Sequence, residues 1–360
     1  MEKKIYSVIT GTGSFIPENI IKNDDFLKHV FYDQGKNVIE TPNADLINKF
    51  QKITNINERR YANDDTVTSD IAFFAAENAL KSSGTDPESL DGIIVAHNFG
   101  DVKKNNRKSD IVPSLASRVK HKLGIKNPNT TAFDLIFGCP GWLQGMIQAD
   151  YQIVSGNAKK MMVIGAEMLS RVSDPHDRDS MIYSDGAGAT ILERHESDSP
   201  VGILSHSSRT DAMNEASLLE MKESYSPDHN SHEIYLKMQG RKLYEYALNH
   251  VPQLVKNCIE KANLSLEKIN KVLIHQANEK MDEAILHRLF KLYGTINIPK
   301  NIMPMTINKL GNSSVATLPT LLDLILKGKM PGHNLSLNDN VVFASVGAGM
   351  NINAFTYRFR

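Results

Sequence analysis

The sequence predicts an α/β protein built from two similar halves, and three observations carry that prediction. Short apolar runs such as Ile93-Ile-Val-Ala96 alternate with amphipathic segments such as the one Ser69 opens through Ala72, Ala75, Ala76 and Leu80, the pattern of buried strands covered by helices. The stretch Asp134-Leu-Ile-Phe-Gly-Cys139-Pro-Gly-Trp-Leu-Gln-Gly-Met146 reads as a buried strand over 135–137, a tight turn at Gly138, and a helix through Trp142, Met146, Ala149 and Ile153. Glu77–Ala96 lies without a gap over Lys256–His275, each copy running helix, polar turn, short acidic turn, strand. Phe137-Gly-Cys139 likewise matches Leu310-Gly-Asn312, and Ile164–Met168 matches Val346–Met350. These matches divide the chain into halves of 1–198 and 199–360, packed about a pseudo-twofold axis. Buried apolar strands alternating with helices fit largely parallel sheets covered on both faces.

In order along the chain, Val8-Ile-Thr10 predicts a strand, and Gly11-Thr-Gly-Ser-Phe-Ile-Pro17 a Gly-rich turn that lacks the spacing of a dinucleotide-binding loop. From Asn23 to about Asn57 the chain is polar, with turn signals at Asp33-Gln-Gly-Lys36 and Thr41-Pro-Asn-Ala44, and reads as an irregular surface elaboration. The helix opened by Ser69 ends near Gly84. Cys258, in Leu254-Val-Lys-Asn-Cys-Ile259, falls on the apolar side of a helix and reads as core. Lys plus Arg and Asp plus Glu both number 41 in 360 residues, so neither nucleic acid nor an anionic membrane is an expected general partner. The N-terminal apolar run is too short for a signal peptide and no segment reaches the length of a membrane span, which predicts a cytoplasmic protein. Two widely separated cysteines make neither a disulfide framework nor a metal spacing, and no motif calls for a metal, nucleotide or redox cofactor.

The chemistry collects where α/β folds place ligands, beyond the carboxyl ends of the strands. Cys139 sits where a helix begins, a position whose unpaired N–H groups and dipole favour a thiolate. The bland alternative is an inert core cysteine. Gly138, Gly141 and Gly145 tip the balance, since they leave room for a ligand or a second backbone. In the second half, His275 ends Lys271-Val-Leu-Ile-His, Asn312 starts a helix after Gly311, and Gly347-Ala-Gly349 forms a turn. Singly, a strand-end His and a capping Asn read as structural. At symmetric positions the three make a thiol that can carry an acyl group and two neutral donors that can hold an enolate. The amides of Cys139 and of the 347–349 turn supply a separate oxyanion hole.

These residues match a known family. The chain resembles the β-ketoacyl-acyl-carrier-protein synthase III group of thiolase-fold condensing enzymes over nearly its full length. The resemblance rests on Gly11–Pro17, Ile56-Asn-Glu-Arg-Arg60, Gly138-Cys-Pro-Gly141, Asp174-Pro-His-Asp-Arg178, Ser184-Asp-Gly-Ala-Gly-Ala189, His275-Gln-Ala-Asn278, Gly311-Asn-Ser-Ser314 and Gly347-Ala-Gly349. It implies a five-layered α-β-α-β-α fold, a homodimer, Cys139 as acyl acceptor, His275 and Asn312 as the pair that activates the second substrate, and an oxyanion hole from the amides of Cys139 and Ala348. It also implies acyl-carrier protein as partner, with substrates carried on phosphopantetheine and no other cofactor.

Departures from the family carry expectations of their own. Lys49 and Ile53 stand where members using acetyl-CoA clamp adenine with Trp and Arg, which favours carrier-protein thioesters. Arg178 matches an arginine that reaches CoA, Asn278 a residue lining the pantetheine channel, and Lys280 a basic contact to the carrier protein. Lys280 reads equally as a solvated helix charge. Val112 and Val346 replace bulky Phe, and Gly100–Pro113 is longer and more polar than usual, which predicts a wide pocket for medium or long chains. These features resemble a branch that condenses two acyl thioesters towards dialkylresorcinols. Two other readings use the same residues: acyl transfer to an alcohol or amine from the same acyl-cysteine, and a non-catalytic partner that binds acyl-carrier protein.

Overall fold

A computed structural model describes residues 3–229 and 232–360. The strands are β1 Lys4–Phe15, β2 Asn19–Lys22, β3 Glu58–Tyr61, β4 Gly92–Ala96, β5 Asp101–Lys103, β6 Asn106–Asp110, β7 Thr131–Leu135, β8 Lys160–Met168, β9 Asp185–Ser197, β10 Gly202–Thr210, β11 Leu219–Glu223, β12 Ile234–Met238, β13 Ile269–Ile274, β14 Asn340–Gly347 and β15 Asn351–Arg358. The helices are α1 Asn43–Thr54, α2 Thr68–Ser83, α3 Leu115–Lys122, α4 Gly141–Val154, α5 Gly240–Lys261, α6 Glu279–Leu292, α7 Ile307–Leu310 and α8 Thr317–Leu326. None of the described helices is long and apolar enough to cross a membrane.

Two sheets carry the fold, ordered β1-β9-β8-β4-β7 and β10-β15-β14-β13. Their pairings repeat: β1 with β9 and β9 with β8 are antiparallel and β8 with β4 parallel, as β10 with β15, β15 with β14 and β14 with β13 are. Beside β13, where the first sheet has β7, the amide of Val272 donates to the Ile302 carbonyl at 2.9 Å. The sheets are therefore mixed and not largely parallel. β15 follows β14 through a tight turn at 348–350, and β9 follows β8 without a long crossover helix, so both return antiparallel.

Strand alternation builds the layers, because successive side chains point to opposite faces. Ile94, Met161 and Val163 of the first sheet and Val341, Phe343 and Phe355 of the second meet on α4 and α8, around Trp142, Met146, Leu318 and Leu322. The alternate residues Ile93, Val95, Met162 and Ile164 pack outward against α2 and α3. Val272, Ile274, Val342 and Ala344 do the same against α5 and α6, with Cys258 fully buried among them. The result is five layers, α-β-α-β-α, with α4 and α8 in the middle.

Three local readings are corrected. Gly11 and Gly13 lie inside β1 rather than in a turn, because α2 crosses that strand so closely that a Cβ on Gly13 would stand 2.3 Å from the Ala79 amide nitrogen. The 23–57 region contains α1, whose Leu46 and Ile47 are buried by helical spacing that scattered polar residues obscured. The strand before Cys139 ends at Leu135 and forms the sheet edge, leaving Ile136 64% exposed.

Candidate active site

The two halves meet at the ends of β7 and β14. Gly138 adopts φ +66°, the left-handed conformation that glycine takes without penalty, and its carbonyl accepts from the Gly141 amide at 3.0 Å to close the turn into α4. A Cβ on Gly138 would stand 2.7 Å from the Ala348 amide nitrogen, and one on Gly347 would stand 2.4 Å from the Cys139 amide nitrogen. The two turns therefore cross at backbone contact. Among the described residues, neither the Cys139 nor the Ala348 amide donates to a backbone carbonyl.

Cys139, His275, Asn312, Ala348 and Val346 all line one cavity of about 1120 Å³. Cys139 is partly exposed to that cavity but sits deep in it, and burial pushes its thiol up to about 11, against a bond from Ser314 that lowers it. The thiolate expected from the helix N-terminus is thus not the resting state. His275 follows β13, is 2% exposed, and its Nδ1 has no hydrogen-bond partner among the described residues. Burial pushes the imidazole down to about 4, so it is neutral at ordinary pH. Nδ1 is shut off from the cavity, so the ring nitrogen left to face a ligand is Nε2.

Asn312 is 6% exposed and is not a helix cap: it precedes a short 3₁₀ turn, and α8 begins only at Thr317. Its backbone pairs with Tyr183, while Oδ1 accepts from the Ser314 amide at 2.7 Å. A backbone N–H can only donate, so this bond fixes the carboxamide and leaves Nδ2, the donor end, for the cavity.

The proposed binding residues divide. Arg178 and Asn278 line the cavity. Asn278 also caps α6 by accepting from the Met281 amide at 3.1 Å. Lys280 is exposed on α6 and lies outside the cavity lining. Val112 is 82% exposed and off the cavity of its own chain, as is the rest of Gly100–Pro113, which forms the β5–β6 hairpin. The expected widening therefore does not come from that segment. Val346 does line the cavity, together with Phe50 and Ile53 of α1 and Met221 and Leu236 of the β11–β12 hairpin. Lys49 and Ile53 of α1 are both at the cavity.

The β11–β12 hairpin has no counterpart among the site candidates read from the sequence. Asp174 and Asp177 of the resemblance motif are what hold that hairpin down: Lys237 Nζ reaches their carboxylates at 2.6 and 3.1 Å, and the Tyr225 amide donates to Asp174 at 2.9 Å. Burial opposes ionisation of Asp174, but these bonds together hold its carboxyl below its ordinary value.

The two shifts set an expected pH profile. Thiolate gains about tenfold per pH unit below the thiol's value of about 11, while neutral His275 stays unchanged well above about 4. Single-turnover acyl loading is expected to rise with pH from about 6 to 9 without an inflection near the usual imidazole value of about 6.5. Stopped-flow loading across that range checks it, and an inflection there would put a charged His275 in the step.

Comparison with known proteins agrees over the full length. Residues 133–212 match the family model for 3-oxoacyl-[acyl-carrier-protein (ACP)] synthase III, and residues 259–359 match its C-terminal counterpart. A β-ketoacyl-[acyl-carrier-protein] synthase III of Staphylococcus aureus (strain JH1) is 31% identical over 353 residues, 98% of each chain. Among solved structures, the 3-oxoacyl-[acyl-carrier-protein] synthase III of Aquifex aeolicus VF5 superposes with TM-score 0.80 at 30% identity, covering 98% of this chain and all of that one. The enzyme of the same kind from Thermus thermophilus gives TM-score 0.80 at 28% identity, covering 98% and 99%.

Proposed function

The chain belongs to the 3-oxoacyl-[acyl-carrier-protein] synthase III family of thiolase-fold condensing enzymes, and from that premise we propose that Cys139 takes an acyl group from a carrier thioester and that His275 and Asn312 hold the nucleophile that attacks it. One observation carries this reading: a thiol, a neutral imidazole and an oriented carboxamide, drawn from both halves 1–198 and 199–360, share one largely apolar cavity.

In the first half-reaction the Cys139 sulfur attacks the thioester carbonyl. A new C–S bond forms, the bond to the pantetheine sulfur breaks, and pantetheine leaves as thiol with the proton that Cys139 gave up. The amides of Cys139 and Ala348 receive the oxyanion. In the second, a malonyl thioester loses CO₂, or a β-ketoacyl thioester gives its acidic C2 proton to solvent; the electron pair of the broken bond stays as the enolate, whose oxygen accepts from His275 and Asn312 Nδ2. The carbanion carbon then attacks the acyl group and Cys139 leaves.

A volume of about 1120 Å³ lies above the roughly 300–1,000 Å³ of ordinary small-molecule pockets, which supports medium or long chains, as in fatty-acid, polyketide or dialkylresorcinol synthesis. Lys49, Arg178, Arg241 and Lys242 border the cavity and suit the phosphate of a carrier-bound pantetheine arm. The enzyme acts as a cytoplasmic homodimer in this proposal. The sheet edge at β7 presents Phe133, with Ile136 just beyond the strand and Ile111 and Val112 also exposed in the segment leading to α3, a surface that a second copy would cover.

The test supplies acyl-carrier thioesters of increasing chain length with either malonyl or β-ketoacyl carrier thioester, reading protein mass, product mass and CO₂. A Cys-dependent mass gain followed by a new carbon-carbon bond is the expected result. An ester or amide product without CO₂ would replace condensation by acyl transfer, and no mass gain with any donor would leave a carrier-binding protein.

A further inference from the structure

Cys139 is not alone at the base of the cavity. The Ser314 hydroxyl lies 3.4 Å from its sulfur, Asn98 Nδ2 lies 3.2 Å from the Ser314 oxygen, and the same Nδ2 lies 2.5 Å from Glu167 Oε2. The Asn98 amide nitrogen also reaches Glu167 Oε1 at 3.4 Å. Asn98 is in the turn beyond β4, Glu167 near the end of β8, and Ser314 two residues past Asn312, so the line crosses from one half of the chain to the other.

We propose that Asn98 and Ser314, anchored on Glu167, form a one-way line of hydrogen-bond donors that turns the Ser314 proton onto the Cys139 sulfur and steadies the thiolate during attack. The proposal rests on the reading of Cys139 as nucleophile.

Direction follows from what each group can give. Above about pH 7, where Glu167 is ionised, its carboxylate only accepts, so it fixes which end of the Asn98 carboxamide faces it, and that end is the NH₂. Its two protons go to Glu167 and to Ser314. A serine oxygen that accepts on that side has one proton left, and the acceptor within reach is the sulfur. Bonds to an ionised acceptor are stronger than bonds to a neutral one, so the line favours the thiolate over the thiol. Glu167 is fully buried, and burial pushes its carboxyl up to about 7, with His97 lowering and Asp185 raising it. Its charge opposes the thiolate through space, but the Ser314 bond acts on the thiol more strongly than that repulsion. Ser314 also gives its backbone N–H to Asn312, so one residue orients both the sulfur's donor and the enolate's donor. Asn98 and Glu167 are positioning residues, acting through Ser314.

The experiment follows alkylation of Cys139 by iodoacetamide against pH, read by intact mass; fully buried Cys258 is the silent control. Ser314→Gly removes the hydroxyl and relieves a backbone held at φ +53°, and Ser314→Ala removes the same hydroxyl without that relief. Either is expected to move the alkylation midpoint up by about one pH unit, a tenfold loss of thiolate. Asn98→Ala frees the serine proton to turn away and is expected to move the midpoint the same way by a smaller step. The double variant should shift no further than Ser314→Gly alone, because both act through one bond. An unchanged midpoint in Ser314→Gly or Asn98→Ala, or additive shifts in the double variant, would overturn the proposal. Alkylation needs no acyl donor, so failure of the condensing reading would appear separately, as loss of acyl loading with the midpoint shifts intact.

Discussion

Cys139→Ala abolishes the acyl mass gain and lowers condensation by at least about a thousandfold, while the protein unfolds within a few degrees of its usual temperature. The chemical half of this expectation follows from the cavity, where the Cys139 sulfur is the one thiol among the described lining residues. The stability half follows from its surroundings. The side chain faces the cavity on one side and the Ser314 hydroxyl on another, so deleting the sulfur opens little new void and costs about 1 kcal/mol or less. Cys258 provides the contrast. It is packed in the core between α5 and the second sheet and touches Ser205 at 3.4 Å, so Cys258→Ala leaves a closed cavity and destabilises by roughly 1–2 kcal/mol with acyl loading intact. Intact mass after exposure to an acyl-carrier thioester, with thermal unfolding of the same samples, measures both. Persistent acylation of Cys139→Ala would mean that another group is the acceptor, and the mechanism would fall with it.

The contrast between the two cysteines was legible in the sequence because it is local. A Gly-Cys-Pro-Gly turn between an apolar run and a helix announces a special cysteine, and a cysteine at core spacing in a helix announces an ordinary one. The duplication was legible too, since the shared pattern of helix, turn and strand survives weak identity, and it placed Cys139 and Asn312 at matching positions. What did not show was whatever depends on two distant segments meeting. The crossing of α2 on β1 makes Gly11 and Gly13 packing residues, and nothing in their own neighbours says so. Asn98 and Glu167 acquire meaning only when β4 and β8 lie side by side and Ser314 arrives from the other half. Desolvation is likewise a property of the assembled cavity. A helix N-terminus predicts a low thiol value, and burial at the junction of two halves reverses it.

Asn312→Asp separates the two half-reactions, and the argument for it comes from one hydrogen bond. In the substituted side chain the oxygen that accepts from the Ser314 amide is retained, so the loop keeps its shape and acyl loading is expected to stay within about threefold. The cavity end changes from a two-proton donor to an anion beside the place where negative charge develops, and condensation is expected to fall by about a hundred- to a thousandfold. pH gives the effect a sign. Burial as deep as that of Asn312 pushes a carboxyl upward, and below its raised value it is neutral and can donate an O–H. Condensation from the preloaded acyl-enzyme of this variant, divided by that of the parent at the same pH, is therefore expected to recover as pH falls, because the parent carboxamide does not titrate. Loading is read by protein mass and condensation by CO₂ release or by product mass across the same pH series. Equal loss in both half-reactions would make Asn312 a structural residue of the cavity floor, and a ratio that rises with pH instead would show that the introduced carboxylate acts as a base rather than as a failed donor.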